Sequence, residues 1–203
     1  MFERRISSEE ELREIIPDPL PRSWAKEIGP LDAHCREFIA RSPFFVMASS
    51  GVRVTPRGGP AGFVRVLGER HLAFADYTGN RRAESHRDIL RDPRVQLGFF
   101  VPRMGETLRV GGEACLTTDP ELLETLATGG DRPPRLAVGV TVEHAFLHCA
   151  KALMRSGLWE PERWPDVDGL PSGAQMLRDH VADGRTLEKV QADLGESYTT
   201  RLW

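Results

Sequence analysis

The sequence predicts a mostly β domain with flanking helices: a closed antiparallel barrel followed by a C-terminal helical extension. Three observations lead there. Short stretches with period-two alternation recur between residues 44 and 148, separated by brief Gly- or Pro-bearing connections. Strands and helices do not alternate in a βαβ rhythm, so a doubly wound parallel sheet is excluded. From Cys149 onward the apolar period becomes helical. With 203 residues, 40% of them hydrophobic and 28% charged, the chain is of ordinary globular composition and long enough for one substantial core.

Taken in order, Ser7 and Ser8 stand three residues before Glu10 and Glu11, a capping-box pattern that opens a helix through about residue 16. PDPLP at 17–21 terminates it. A second helix over about 31–41 places Leu31, Cys35, Phe38 and Ile39 on one face, and Pro43 ends it. The strand PFFVMASS follows, then residues 52–55, the loop PRGGPAG, the strand FVRVL at 63–67, a turn at Gly68 and the strand 71–76. A helix over 80–92 stops at Pro93. The strand VQLGFFV at 95–101 leads to TLRVGGEACLTT at 107–118, where Gly111 and Gly112 predict a bulge. Asp119 caps and Pro120 starts a short helix through about Thr128, and after GGDRPP the last strand covers 136–148.

The chain thus reads as one domain over 1–203, with an N-terminal helical arm (1–41), a barrel (42–148) and a C-terminal helical extension (149–203). Helical segments at about 172–183 and 186–199 have too little apolar surface for a core of their own. They are expected to pack on the barrel or on a second subunit.

Composition narrows the functional class. Lys and Arg number 27 and Asp and Glu 30, a formal net charge of −3, so nucleic acid is not the expected partner. Cys35, Cys115 and Cys149 are odd in number and widely spaced, which suits neither a disulfide framework nor a CxxC metal site. No run of 18 apolar residues occurs, and the N-terminal stretch is charged throughout. The expectation is a soluble cytoplasmic protein with no membrane partner.

The densest chemistry lies in HLAFADYTGNRRAESHRDILRD, residues 71–92. A strand breaks at TGNRR and a helix follows. Gly79 accommodates a positive φ, Asn80 is a good N-cap, and Arg81 and Arg82 come next. Free N–H groups at a helix start, the helix dipole and two guanidinium groups make an anion cradle suited to a phosphate monoester. The same residues also describe a capped helix start with solvated arginines, and the pattern alone leaves both readings open.

Three further stretches stand out. In VRVTPRGGPAGF, Gly58 and Gly59 allow close approach of a planar ligand, and Arg57 can donate to carbonyl oxygens; a plain hairpin loop is the other reading. Arg109 points away from Leu108 and Val110, to a solvated surface or a subunit interface. In CAKALMRSGLW, Lys151 and Arg155 share a helix face, and Trp159 either walls a ring system or fills the core. His144, His148 and Cys149 lack a second ligand pair at metal spacing, so no metal is expected.

FADYTGNRR resembles the phosphate-binding segment of the pyridoxamine 5'-phosphate oxidase family, where a strand ending in an aromatic leads through a Gly-Ser-Arg-Lys turn onto a helix. Asn80 stands in place of the Ser and Arg82 in place of the Lys. ETLRVGG resembles the family's RQVRVEG strand, with Thr107 at its flavin-contacting Gln and Arg109 at its Arg. Together with FFVMASSG, VTPRG, CAKALMRSGLW and the closing SYTTRLW, the chain is similar over about residues 20–203 to a bacterial FMN-binding branch of that family.

The resemblance implies a split β-barrel, made as a homodimer with FMN at the interface. It assigns Asn80, Arg81 and Arg82 to the 5'-phosphate, Ala75 and Asp76 to the ring at the strand end, and Arg57 and Gly58 to its pyrimidine side. Thr107, Arg109, Lys151 and Trp159 would come from the same or the other subunit. The implied activity is FMN-dependent oxidation or reduction of an unidentified small molecule, with a substrate or electron donor as partner. The true oxidase has a C-terminal Arg that grips its substrate; here the tail YTTRLW differs, and Arg201 is the only suggestive counterpart. A non-catalytic FMN store or sensor is the alternative, as is a split barrel holding haem, with His144 or His148 as axial ligand, or a deazaflavin.

Overall fold

The computed structural model describes residues 1–51, 53–77, 79–127 and 133–200. Val52, Thr78, Arg201 and the residues after it, and most of the loop expected at 129–134 lie outside the described residues.

The chain opens with helices α1 (Glu9–Ile15), α2 (Pro21–Ala25) and α3 (Ala33–Arg41). Strands β1 (Phe44–Ser49), β2 (Arg53–Gly58), β3 (Val64–Val66) and β4 (His71–Asp76) follow. Helix α4 (Glu84–Arg91) precedes β5 (Arg94–Phe100) and β6 (Thr107–Thr117). After α5 (Pro120–Leu126) and β7 (Leu136–His148) come α6 (Lys151–Ser156), α7 (Gly173–Val181) and α8 (Leu187–Thr200).

The strands form one antiparallel sheet in the order β2-β1-β5-β6-β7-β4-β3. It is the half-barrel of a split β-barrel. The strand rhythm predicted closure, but β2 and β3 remain edges and are not hydrogen-bonded to each other. Aromatic packing meets across the seam instead. Phe45 on β1 stacks on Phe63, just ahead of β3, with ring centroids 5.8 Å apart, and lies 4.9 Å from Phe74 and 5.0 Å from Phe99. Such pairs add about 0.5–1.5 kcal/mol each beyond burial.

The concave face is the core. Phe45, Met47, Leu72, Phe74, Leu97, Phe99, Leu108 and Val110 are buried there, and Leu31, Cys35, Phe38 and Ile39 close over it from α3 and its approach. A smaller cluster of Ala73, Ala75, Leu126 and Ala137 lies on the other side of β4, under α5. The longest pairing joins β6 to β7, with the expected bulge between Gly111 and Gly112. A Cβ at Gly112 would run into the carbonyl oxygen of Thr141, so the bulge needs glycine there.

Several boundaries differ from the sequence expectation for definite reasons. Arg57 and Gly58 belong to strand β2 rather than to a loop; Pro56 is tolerated because β2 is an edge strand and its missing N–H breaks no central ladder. Pro21 does not simply end the first helix but starts α2, where the first turn has no use for its N–H. Helix α4 begins at Glu84, four residues later than Asn80, because the intervening turn takes left-handed conformations. Among the described residues, no helix is long and apolar enough to cross a membrane.

Candidate functional site

The end of β4, the turn into α4 and the inner side of β2 enclose an open cleft of about 870 Å³. Thr55–Arg57, Asp76, Tyr77, Gly79–His86 and Pro133–Leu136 line it. That volume lies within the range of small-molecule and cofactor sites, about 300–1,000 Å³.

The turn between β4 and α4 departs from a capped helix start. Asn80 is not the N-cap; its Oδ1 accepts from the Arg82 backbone N–H at 3.0 Å, an Asx turn. The positive-φ residues are Arg81 (φ 62) and Ala83 (φ 48), not Gly79. A left-handed conformation at a residue with a Cβ costs roughly 1–2 kcal/mol, so this turn is held by its surroundings. Ala83 occupies the N-cap position of α4 and offers no side-chain acceptor. The first N–H groups of α4 are therefore without a side-chain cap, at the positive end of the helix dipole.

Around the turn the charges form a set. Arg57 Nη1 donates to Asp76 Oδ1 at 2.8 Å and Nη2 to Ser85 Oγ at 3.0 Å, while the buried Nε has no hydrogen-bond partner among the described residues. His86 Nε2 lies 3.1 Å from the same Oδ1, near enough to attract the carboxylate but off the line of a ring N–H hydrogen bond. Burial works to raise the Asp76 carboxyl; His86 first and Arg57 second outweigh it and hold the group below the ordinary carboxylate value. Arg82 pairs with Glu84 at 2.6 Å. Arg81 and Arg135 also line the cleft and have no ion-pair partner among the described residues. Four arginines thus face two carboxylates, and the cleft favours an anion.

A third carboxylate ties α4 to β1 and β2. Asp88 accepts from Arg53 at 2.5 Å and from Ser49 Oγ at 2.7 Å, and Arg53 and Ser49 hold it below its usual range. A Cβ at Gly51 would collide with this carboxylate.

The structure brings together six of the residues singled out in the sequence: Arg57, Asp76, Gly79, Asn80, Arg81 and Arg82. It does not bring the others to the cleft. Gly58 ends β2 on its outward side, and Ala75 is buried in the small cluster beside Leu126. Thr107 pairs with His148 at the start of β6. The Arg109 guanidinium lies over the Phe146 ring at 5.1 Å, Lys151 is exposed on α6, and Trp159 Nε1 donates to the Met104 carbonyl at 2.7 Å. His144 meets Gln96 at 3.1 Å. Among the described residues, no group of three or more His, Cys, Asp or Glu is placed to hold a metal ion.

Sequence reasoning missed Ser85, His86 and Arg135. The signal for the first two was their place on the first turn of the helix after the arginine pair. Arg135 carried no signal, since only the fold sets the start of β7 beside the turn.

Residues 31–149 match the model of the pyridoxamine 5'-phosphate oxidase family, more than half of the chain. The chain belongs to that family. As a pyridoxamine 5'-phosphate oxidase-family member it has its cleft, α4 and all seven strands inside the matched segment, whereas α1, α2, α6, α7 and α8 lie outside it. No curated protein matches the chain. Among solved structures it is similar to HupZ of Group A Streptococcus (16% identity, 57% of this chain and 92% of that one, TM-score 0.45). General Stress Protein 26 from Bacillus anthracis aligns at 12% identity over 57% of this chain and 94% of its own, TM-score 0.43. An FMN-binding protein from Syntrophomonas wolfei aligns at 8% over 62% and 92%, TM-score 0.42. None of these scores reaches 0.5, and family membership rests on the matched segment.

Proposed function

We propose that this family member binds FMN in the cleft, with the 5'-phosphate on the turn from Asn80 to Ala83. The observation that carries the reading is the turn itself: Arg81, with no ion-pair partner among the described residues, and a second arginine, Arg82, on a left-handed backbone that opens a helix start without a side-chain cap. Backbone N–H groups and two guanidinium groups suit a dianionic phosphate, each charge-assisted hydrogen bond contributing about 1.5–3 kcal/mol. The buried Arg57 Nε, without a partner among the described residues, is a second point of fit at the cleft wall for a ligand rich in acceptors. Asp76 and Ser85 hold the Arg57 guanidinium in place. When bound, the flavin would supply the redox chemistry, and the protein its orientation and charge environment.

The working unit in this reading is a homodimer in which Thr107, Arg109, Lys151 and Trp159 reach the flavin of the second subunit. The convex face of the sheet supports it. Val46, Gly98, Arg109 and Phe146 stand in register across β1, β5, β6 and β7, so Arg109 sits within a row of otherwise apolar residues that lies outside the core. The proposed activity is FMN-dependent oxidation or reduction of a small molecule, in the cytoplasm, where three unpaired cysteines are at home.

The test is the visible spectrum of the purified protein, its mass in solution and titration with FMN. A yellow dimer that releases FMN on heating supports the reading, and rapid reoxidation of the reduced protein by a defined electron acceptor supports catalysis. Slow, acceptor-independent reoxidation would favour an FMN store or sensor. A colourless protein that does not bind added FMN would overturn the proposal, and a haem or deazaflavin spectrum would replace the cofactor.

A further inference from the structure

The first 27 residues pack against almost nothing of their own chain. From Met1 to Glu27 every residue except Arg13 is exposed, and neither α1 nor α2 has a buried residue. The segment is tethered at its C-terminal end, where Lys26 Nζ donates to the Leu147 carbonyl at 3.1 Å and Ile28 bridges Ala145 on β7.

Helices of seven and five residues are well below the ~12–15 residues that a helix needs to persist alone in water. Helix α1 is nonetheless fully specified: Ser8 Oγ caps the Glu11 N–H, and the Glu11 carboxylate returns to the Ser7 N–H at 2.9 Å. Leu12, Ile15 and Ile16, at helical spacing, form an apolar side, and Trp24 on α2 is 66% exposed. An apolar stripe on a helix too short to stand alone implies a surface beneath it.

The total surface shows how much is uncovered. The chain exposes 14187 Å². A compact monomer of its 22.7 kDa would expose about 9,500 Å². Each partner of an obligate homodimer buries about 1,000–2,500 Å², so the excess on one chain is more than such an interface requires of it. A second copy is the occupant that offers one arm and one receiving body per chain, so a single two-fold exchange covers both arms.

We infer that residues 1–25 are a docking arm for a second copy of this chain. The inference rests on the homodimer proposed above and not on the flavin. In the dimer, the α1 stripe and Trp24 are buried against the other copy, and the tether at residues 26–28 sets where the arm departs.

Hydrogen exchange of the full chain, measured above and below its dissociation concentration by sedimentation, tests this. The expected result is a dimer in which amides of residues 9–16 exchange at least tenfold more slowly than in the diluted monomer. Ile15→Glu should raise the dissociation constant at least tenfold with an unchanged circular dichroism spectrum. A monomer at all concentrations, or a dimer whose arm amides exchange freely, overturns the inference. So does protection that is equal in monomer and dimer, or that appears only on adding phosphatidylglycerol vesicles. Repeating the exchange on FMN-stripped protein separates the two proposals, because the spectrum tests the cofactor and the exchange tests the arm.

Discussion

Arg57 and Asp76 meet at 2.8 Å across the seam of the split barrel, joining edge strand β2 to the end of β4, the strand next to the opposite edge of the sheet. The ion pair lies where backbone hydrogen bonding stops. It therefore does two things, bridging the opening and fixing a guanidinium on the wall of the cleft.

Replacing Asp76 with Asn should cost about 1–2 kcal/mol at pH 7, because it weakens a half-buried charge-assisted bond. The folded-state carboxyl lies below its unfolded value near 3.9, so its contribution is fully present above that value and is lost as pH falls through the folded one. Urea unfolding should show a constant gap between the two proteins from pH 7 to pH 5, closing below about pH 4. A gap that stays constant down to pH 3 would refute this.

Arg81→Gly separates binding from stability. Glycine relieves the left-handed backbone at φ 62, so the melting temperature should hold or rise slightly. Loss of one charge-assisted contact should weaken FMN by about 10- to 150-fold, the equivalent of 1.5–3 kcal/mol. Ala83→Gly relieves the same kind of strain without removing a charge, and its FMN affinity should remain near that of the parent. Fluorescence titration of the flavin reads both.

Gly112→Ala should destabilise the chain by about 3 kcal/mol, because the added methyl meets a backbone carbonyl that cannot rotate away. Thermal unfolding of this variant beside Gly79→Ala, where the space is open, provides the comparison. Equal losses in the two would contradict the bulge geometry.

The cysteines should divide by exposure. Burial pushes the Cys35 thiol up to about 11, whereas Cys115 and Cys149 are exposed. Iodoacetamide at pH 8 should add two labels to the native protein and three after unfolding, as counted by mass spectrometry. Early labelling of Cys35 would mean that α3 does not seal the core.

Much of the architecture was legible because it is local. Alternation marked β4, β5 and β7, the Gly111–Gly112 pair marked the bulge, and Asp119 with Pro120 marked the start of α5, all through periods and caps within a few residues. The arginine pair was legible as a cationic turn for the same reason. The Asn80 cap was not, because Asn80 serves equally well as a cap or as an Asx turn, and the choice depends on how far α4 must run before Ile89 reaches the core.

The sequence by itself determined the antiparallel sheet, the core-facing side chains and the cationic turn, since each follows from side-chain period and backbone preference along a short stretch. Only the tertiary structure decided that the sheet stays split, that Arg57 crosses the seam to Asp76 and Ser85, and that Arg135 and His86 join the same cleft. Those relations depend on sheet curvature, which brings together residues from strands far apart in the sheet order and is summed over every strand between them.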